Sequence, residues 1–143
     1  MAAEFFTTTR RVEFRETDAA GIAHFSAFLC YMEQAEHDLL RTLDWSVMMP
    51  HAQTGYLSWP RVHVECDFQG TVQFEDVLDI TVHVSRLGAR SVTYVFQFTC
   101  QGRQIASGKT IAVCCHVGTD RSLDSIDIPE PLRGRLARYV VSE

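Results

Sequence analysis

From residue 60 to about residue 117 the chain is written almost entirely in period two. Val62, Val64, Cys66 and Phe68 alternate with His63, Glu65, Asp67 and Gln69. Leu78, Ile80, Val82 and Val84 alternate with Asp79, Thr81, His83 and Ser85. Val92, Tyr94, Phe96 and Phe98 alternate with Thr93, Gln97 and Thr99, and Val95 breaks the pattern. Gln101-Gly102-Arg103 reads as a hairpin turn. The strand after it, about 104–117, places Ile105, Ile111, Val113 and Val117 on one parity. No helical segment separates these strands. Parallel neighbours need long crossovers, so a doubly wound parallel sheet is excluded and antiparallel pairing is required.

Long strands with one greasy face need a cover, and one segment can supply it. Phe28, Met32, Ala35, Leu39 and Leu43 form an apolar stripe at helical spacing, flanked by Tyr31, Leu29 and Leu40. The spacing predicts a helix over about 27–43, with Ser26 as N-cap. Gln34, His37 and Arg41 fall on the opposite face, and Glu33 and Glu36 fall among the apolar flanks. A helix this apolar is wrapped over most of its circumference, which puts those glutamates near a second surface such as a subunit interface. Upstream, residues 9–17 alternate and read as a half-buried strand with Val12 and Phe14 inward. The expected fold class is α+β, a five-stranded antiparallel sheet curled around one central helix, in a single domain spanning 1–143. Pro129-Glu130-Pro131 introduces a short terminal helix, and 120–127 reads as polar loop.

Between the first strand and the helix, Asp18-Ala19-Ala20-Gly21 forms a small-residue loop. A carboxylate close to a helix N-terminus can serve carbonyl chemistry. The acid attacks or directs water, and free N–H groups at the helix start polarise an oxygen. On the residues alone, an Asp that closes an Asx turn explains the same pattern. Residues 44–59, rich in Met and aromatics and ending at Trp59, read either as a loop over the core or as the wall of an apolar ligand pocket.

Composition narrows the function classes. The formal net charge is −5, which argues against a general nucleic-acid binder or a binder of anionic membranes. The Cys residues number 5, without a C-x-x-C, so neither a disulfide framework nor a zinc pattern is present. Reduced thiols in a cytoplasmic protein are expected. The N-terminal MAAEFFTTTRR has no cationic stretch followed by an apolar run, so no signal peptide is expected. His63, His83 and His116 lack ligand spacing, and no metal is expected.

The stretch Val12-x-Phe14-x-x-Thr17-Asp18-Ala19-Ala20-Gly21-Ile22-x-His24-Phe25, followed by Tyr31-Met32-Glu33-x-Ala35 on a helix, resembles the 4-hydroxybenzoyl-CoA thioesterase family of hotdog-fold acyl-CoA thioesterases. Asp76-x-Leu78, Gly88-Ala89-Arg90-Ser91, Ala106-x-Gly108 and Ile128-Pro129 extend the resemblance over about 7–137. It implies the hotdog fold and hydrolysis of an acyl-CoA thioester, with no cofactor beyond the coenzyme A carried by the substrate. It also implies homodimers, alone or paired into homotetramers. Residue by residue, it implies that Asp18 is the catalytic carboxylate, as nucleophile or as general base. The Phe25 N–H is implied to face the thioester carbonyl, and His24 to assist water, substrate or the leaving sulfur. Arg90 and Ser91 match a position on the nucleotide side, and Trp59 is expected at the acyl pocket. A hotdog hydratase or dehydratase and a non-catalytic acyl-CoA binder are the alternatives.

Overall fold

A computed structural model describes residues 4–142. Residues 1–3 and 143, inside the expected domain span, lie outside the described residues. Strand β1 is Phe6–Arg11, helix α1 is Ala27–Thr42, and β2 is Tyr56–Ser58. The long strands follow as β3 Arg61–Phe68, β4 Val77–Leu87, β5 Ser91–Cys100 and β6 Arg103–Val113. Short β7 Cys115–Val117, β8 Leu123–Ser125 and helix α2 Leu132–Ala137 complete the chain. The main sheet has five strands in the order β1-β4-β5-β6-β3, every pair antiparallel. A small sheet, β2-β7-β8, stands beside it.

Helix α1 fills the concave face of the main sheet. Tyr31, Met32, Ala35, Leu39 and Leu40 are buried against Leu78, Ile80, Val82, Val84, Tyr94, Phe96 and Phe98. Each fully buried Leu, Ile or Phe contributes about 1.5–3 kcal/mol, so this helix–sheet seam dominates the stability. The β5–β6 turn is tight because Gln101 and Gly102 both take positive φ, 50° and 79°.

Four local expectations change. First, the strand expected over 9–17 ends at Arg11, and Phe14–Glu16 form a single 3-10 turn. The cause is a capping box. The Glu16 side chain reaches back to accept the Glu13 N–H at 2.7 Å, the Glu13 side chain faces the Glu16 N–H, and that N–H closes the turn on the Glu13 carbonyl at 2.9 Å. Phe14 therefore points outward, 75% exposed, edge-on to Phe74. Second, β6 keeps the expected Ile105 in the core but buries the other parity from Ala106 on. Ala106, Gly108, Thr110 and Ala112 are buried, while Ile111 and Val113 are half-exposed. An irregularity opposite Phe98 and Thr99 shifts the register, and a side chain at Gly108 would collide with the Met32 sulfur. Third, the expected 104–117 strand breaks at Cys114, and its end leaves to build the small sheet with β8, inside the stretch expected to be loop. Fourth, β3 is not half-buried. Val62, Val64 and Phe68 are 64%, 47% and 48% exposed, because β3 is an edge that one helix is too narrow to cover.

All five thiols are free, and Cys30 alone is exposed. Burial, with Asp67 next to it, pushes Cys66 up to about 11, and burial beside Cys115 does the same for Cys114. At pH 8 such groups are about one part in a thousand thiolate. Brief iodoacetamide treatment should therefore label Cys30 first, as read by peptide mass spectrometry. Equal labelling of Cys66 or Cys114 would contradict this packing. No helix of the described residues is long and apolar enough to cross a membrane.

Candidate active site

The Asp18 loop is a small closed unit. Thr17 and Ala23 form an antiparallel bridge, and the Asp18 N–H donates to the Ile22 carbonyl at 2.9 Å. Gly21 makes the return with φ 80°. The outer wall comes from the loop between β3 and β4. Ile22 bridges to Gln73, and the Ala23 N–H donates to the Val72 carbonyl at 2.8 Å.

Asp18 and Phe25 meet at one cleft of about 180 Å³, with Phe28, Phe68, Gly70, Thr71 and Val72 among its lining. Asp18 Oδ1 accepts the Ala20 N–H at 2.8 Å and lies 3.5 Å from the Ile22 nitrogen. This is the Asx turn that the bare sequence suggested. Among the described residues, Oδ2 accepts no hydrogen bond. The turn thus occupies one oxygen of the carboxylate and leaves the other without a hydrogen bond among the described residues.

Helix α1 starts at Ala27 after Ser26, as expected, but the Ser26 side chain does not cap it. Ser26 itself has helical angles. His24 bonds at the helix start instead. Its Nδ1 accepts the Ser26 N–H at 3.2 Å, and its carbonyl accepts the Ala27 N–H at 2.9 Å. The Ser26 hydroxyl lies 2.8 Å from the same Nδ1, which leaves Nε2 to carry the proton of the neutral ring. The Phe25 N–H, between these two, finds no acceptor among the described residues. It stands at the positive end of α1, where an oxygen gaining charge is favoured. The Phe25 side chain is 67% exposed and tilts over His24 at 4.4 Å, so its backbone and not its ring offers the polar contact here.

The remaining expected residues do not line this cleft. His24 lines a neighbouring cleft of about 510 Å³ with Arg10, Arg15, Glu16 and Thr17. Arg90 is exposed and occupied: its Nε donates to Asp127 at 3.0 Å and its Nη1 to the Ser125 hydroxyl at 3.2 Å. Ser91 opens β5, its carbonyl accepting the Gly88 N–H at 2.8 Å. Trp59 is 3% exposed and packs in the core. Of the two helix glutamates, Glu33 is exposed while Glu36 is buried and ion-paired to Arg61. Among the described residues, no group of three or more His, Cys, Asp or Glu is placed to hold a metal.

Sequence reasoning missed the far wall, Phe68 through Val72. The signal was faint: a Gly in Phe68-Gln69-Gly70-Thr71 marks where β3 turns away, but nothing local says it turns toward Asp18. It also missed Glu16. Burial alone would raise the Glu16 carboxyl, yet the Glu13 N–H, Arg10 and Tyr31 together hold it below the ordinary carboxylate range.

The Thioesterase-like superfamily matches residues 12–136 of this chain. A 1,4-dihydroxy-2-naphthoyl-CoA hydrolase of Synechococcus sp. (strain CC9311) is 31% identical over 105 residues, covering 69% of each chain. Its counterpart in Synechococcus elongatus is 26% identical over 105 residues, 73% of this chain and 77% of that one. Among solved structures, a gentisyl-coenzyme A thioesterase superimposes with a TM-score of 0.78 at 26% identity, over 92% of this chain and 99% of that one. A 1,4-dihydroxy-2-naphthoyl-CoA thioesterase from Synechocystis shares the fold, with a TM-score of 0.79 at 21% identity over 94% and 96% of the two chains. With that match running from the end of β1 to the end of α2, the chain belongs to the thioesterase-like superfamily, the hotdog-fold thioester hydrolases.

Proposed function

We propose that this protein is an acyl-CoA thioesterase for an aromatic acyl group, and that Asp18 is its nucleophile or general base. The carrying observation is that Asp18 lines one cleft with Phe25, a residue at the start of α1 whose N–H has no acceptor among the described residues. A thioester carbonyl oxygen directed at that N–H and at the helix start is stabilised as it becomes an oxyanion. Asp18 then either bonds to the carbonyl carbon, giving a mixed anhydride that water cleaves, or takes a proton from a water that attacks. In both routes the C–S bond breaks and coenzyme A leaves as thiolate, for which a strong general acid is dispensable.

The aromatic preference rests on Phe25, Phe28 and Phe68 at the cleft, with Phe28 edge-on to Phe68 at 5.2 Å. The relatives named for naphthoyl and gentisyl thioesters support it. The cleft holds an acyl end but not coenzyme A, so the carrier extends outside it. Arg90 and Ser91 remain the proposed nucleotide contacts, with Arg90 leaving Asp127 to meet a phosphate. Trp59 then supports the acyl pocket from the core, and His24 holds the helix start. The free thiols suit a reducing, cytoplasmic setting. The reading treats 1–143 as one hotdog domain and calls on no cofactor.

A second copy belongs to this reading, as a homodimer alone or paired into a homotetramer. Strand β3 presents one unpaired edge with Val62, Val64 and Phe68 uncovered, and Phe68 also lines the cleft. A two-fold pairing along β3 covers those side chains and closes the open flank of the cleft. Val62→Lys with Val64→Lys should convert the protein to monomers in light scattering and lower kcat/KM at least about tenfold, since a wall of the site goes with the partner. A monomeric wild type, or full activity in the monomerised variant, would count against the dimer.

The function is tested by thiol release from benzoyl-, naphthoyl-, short-chain and long-chain acyl-CoAs. Fast turnover of the aromatic thioesters is expected. Hydration of an enoyl thioester without thiol release would indicate a hydratase, and tight binding without turnover a binder.

A further inference from the structure

Two residues before Asp18, Glu16 engages both of its carboxylate oxygens and its backbone carbonyl. Its Oε1 accepts the Glu13 N–H at 2.7 Å and the Tyr31 hydroxyl at 3.0 Å. Its Oε2 accepts Arg10 Nη2 at 2.6 Å. Its backbone carbonyl accepts the His24 N–H at 2.7 Å. These bonds tie together four parts of the fold: β1 through Arg10, the 3-10 turn through Glu13, α1 through Tyr31, and the start of α1 through His24. Arg10 is held in turn by Gln34 of α1 and lies over the Tyr31 ring at 5.4 Å. The Glu16 side chain is 11% exposed, that of Arg10 23%, and Tyr31 is buried, so the network is partly shielded from solvent on its α1 side.

The Asp18 loop leaves and returns within this knot. It departs at Thr17, whose hydroxyl donates to the Phe14 carbonyl at 2.7 Å, and it re-enters at Ala23 and His24. Both ends of the loop, and the carbonyl–N–H bond that sets the position of Phe25, therefore converge on Glu16. We infer that Glu16, braced by Arg10 and Tyr31, is a positioning residue that sets the distance between the Asp18 carboxylate and the Phe25 N–H. The inference rests on the proposed thioesterase reading for its catalytic consequence, but not for its structural one. Glu16 touches neither the Asp18 cleft nor, on this reading, the substrate.

The magnitude follows from geometry. Displacing a reacting group by about 1 Å can cost about a hundredfold in rate. Glu16→Gln keeps the size and one carbonyl acceptor but loses the charge that holds Arg10. Tyr31→Phe removes a single bond, and Glu16→Ala removes all of the side-chain bonds. The expected order of kcat is wild type, Tyr31→Phe, Glu16→Gln, Glu16→Ala, with the last about a hundredfold down. KM should stay within about threefold, because the acyl and nucleotide contacts are untouched.

Amide hydrogen exchange supplies a readout that needs no activity. In Glu16→Gln, the His24 and Asp18 amides should exchange about tenfold faster, while the Phe96 and Phe98 amides of β5 stay at the wild-type rate. Unchanged exchange at His24 and Asp18 overturns the inference. So does an acceleration shared with β5, which would mark Glu16 as a general stability residue. A rise in KM with kcat intact also overturns it. A wild-type chain that releases no thiol from any acyl-CoA sinks the thioesterase reading instead, and the exchange data still decide the role of Glu16.

Discussion

Asp18→Asn should lower kcat for aroyl-CoA hydrolysis by about 10³-fold while leaving the thermal unfolding midpoint within a few degrees of wild type. The asparagine is the informative variant. Its carbonyl oxygen can still accept the Ala20 N–H that Asp18 Oδ1 accepts at 2.8 Å, so the Asx turn survives. What is lost is the negative oxygen that accepts nothing else among the described residues. Asp18→Ala should lose the same activity and also about 1 kcal/mol of stability, because the turn loses its acceptor. Residual hydrolysis above the uncatalysed rate is expected in both, from the Phe25 N–H and the helix dipole. Steady-state thiol release alongside thermal melts makes the comparison. Wild-type-like turnover in both variants removes Asp18 from the mechanism. A loss confined to Asp18→Ala reduces it to a turn former.

The largest stability effect is expected away from the cleft, at Arg61. Glu36 sits on α1 with its side chain 2% exposed, and its Oε2 is paired with Arg61 of β3. Arg61 also donates to the Trp59 carbonyl at 2.9 Å, so it joins helix, edge strand and the preceding segment. Glu36 Oε1 is buried without a partner among the described residues, so Arg61 is the charge that makes this carboxylate tolerable. Removing one partner of a buried pair typically costs about 3–5 kcal/mol. The Arg61 side chain is 27% exposed, and that contact with solvent favours the lower end of the range. Arg61→Met should therefore lose about 3 kcal/mol in urea unfolding, and Glu36→Met with Arg61→Met should recover most of it. An additive double variant, no better than the sum of its singles, would show that the pair is not coupled.

These predictions depend on unequal parts of the sequence. The strand-helix-strands order was legible because its periodicities are local: period two in β4 and β5, and a helical stripe from Phe28 to Leu43. The loss of β6 parity was not legible. Ile111 and Val113 look like core residues, but the sheet turns Gly108 and Ala112 inward, and at Gly108 the Met32 sulfur leaves no room for a side chain. The greasy face of β3 misled in another way. Val62 and Val64 alternate as a buried strand does, and a single helix leaves them bare.

The amino-acid sequence by itself determined an antiparallel sheet around one helix and a carboxylate shortly before that helix, because strand and helix periods are properties of neighbouring residues. It also carried the Asx turn at Asp18, which closes within five residues. Only the tertiary structure decided that Phe68 to Val72 would face Asp18, that the His24 side chain and not that of Ser26 would bond at the start of α1, and that the Phe25 N–H would find no acceptor among the described residues. Each of these depends on where a distant segment supplies or withholds a hydrogen-bond partner. No local pattern encodes such a choice; it is made when β1, the β3–β4 loop and α1 pack together.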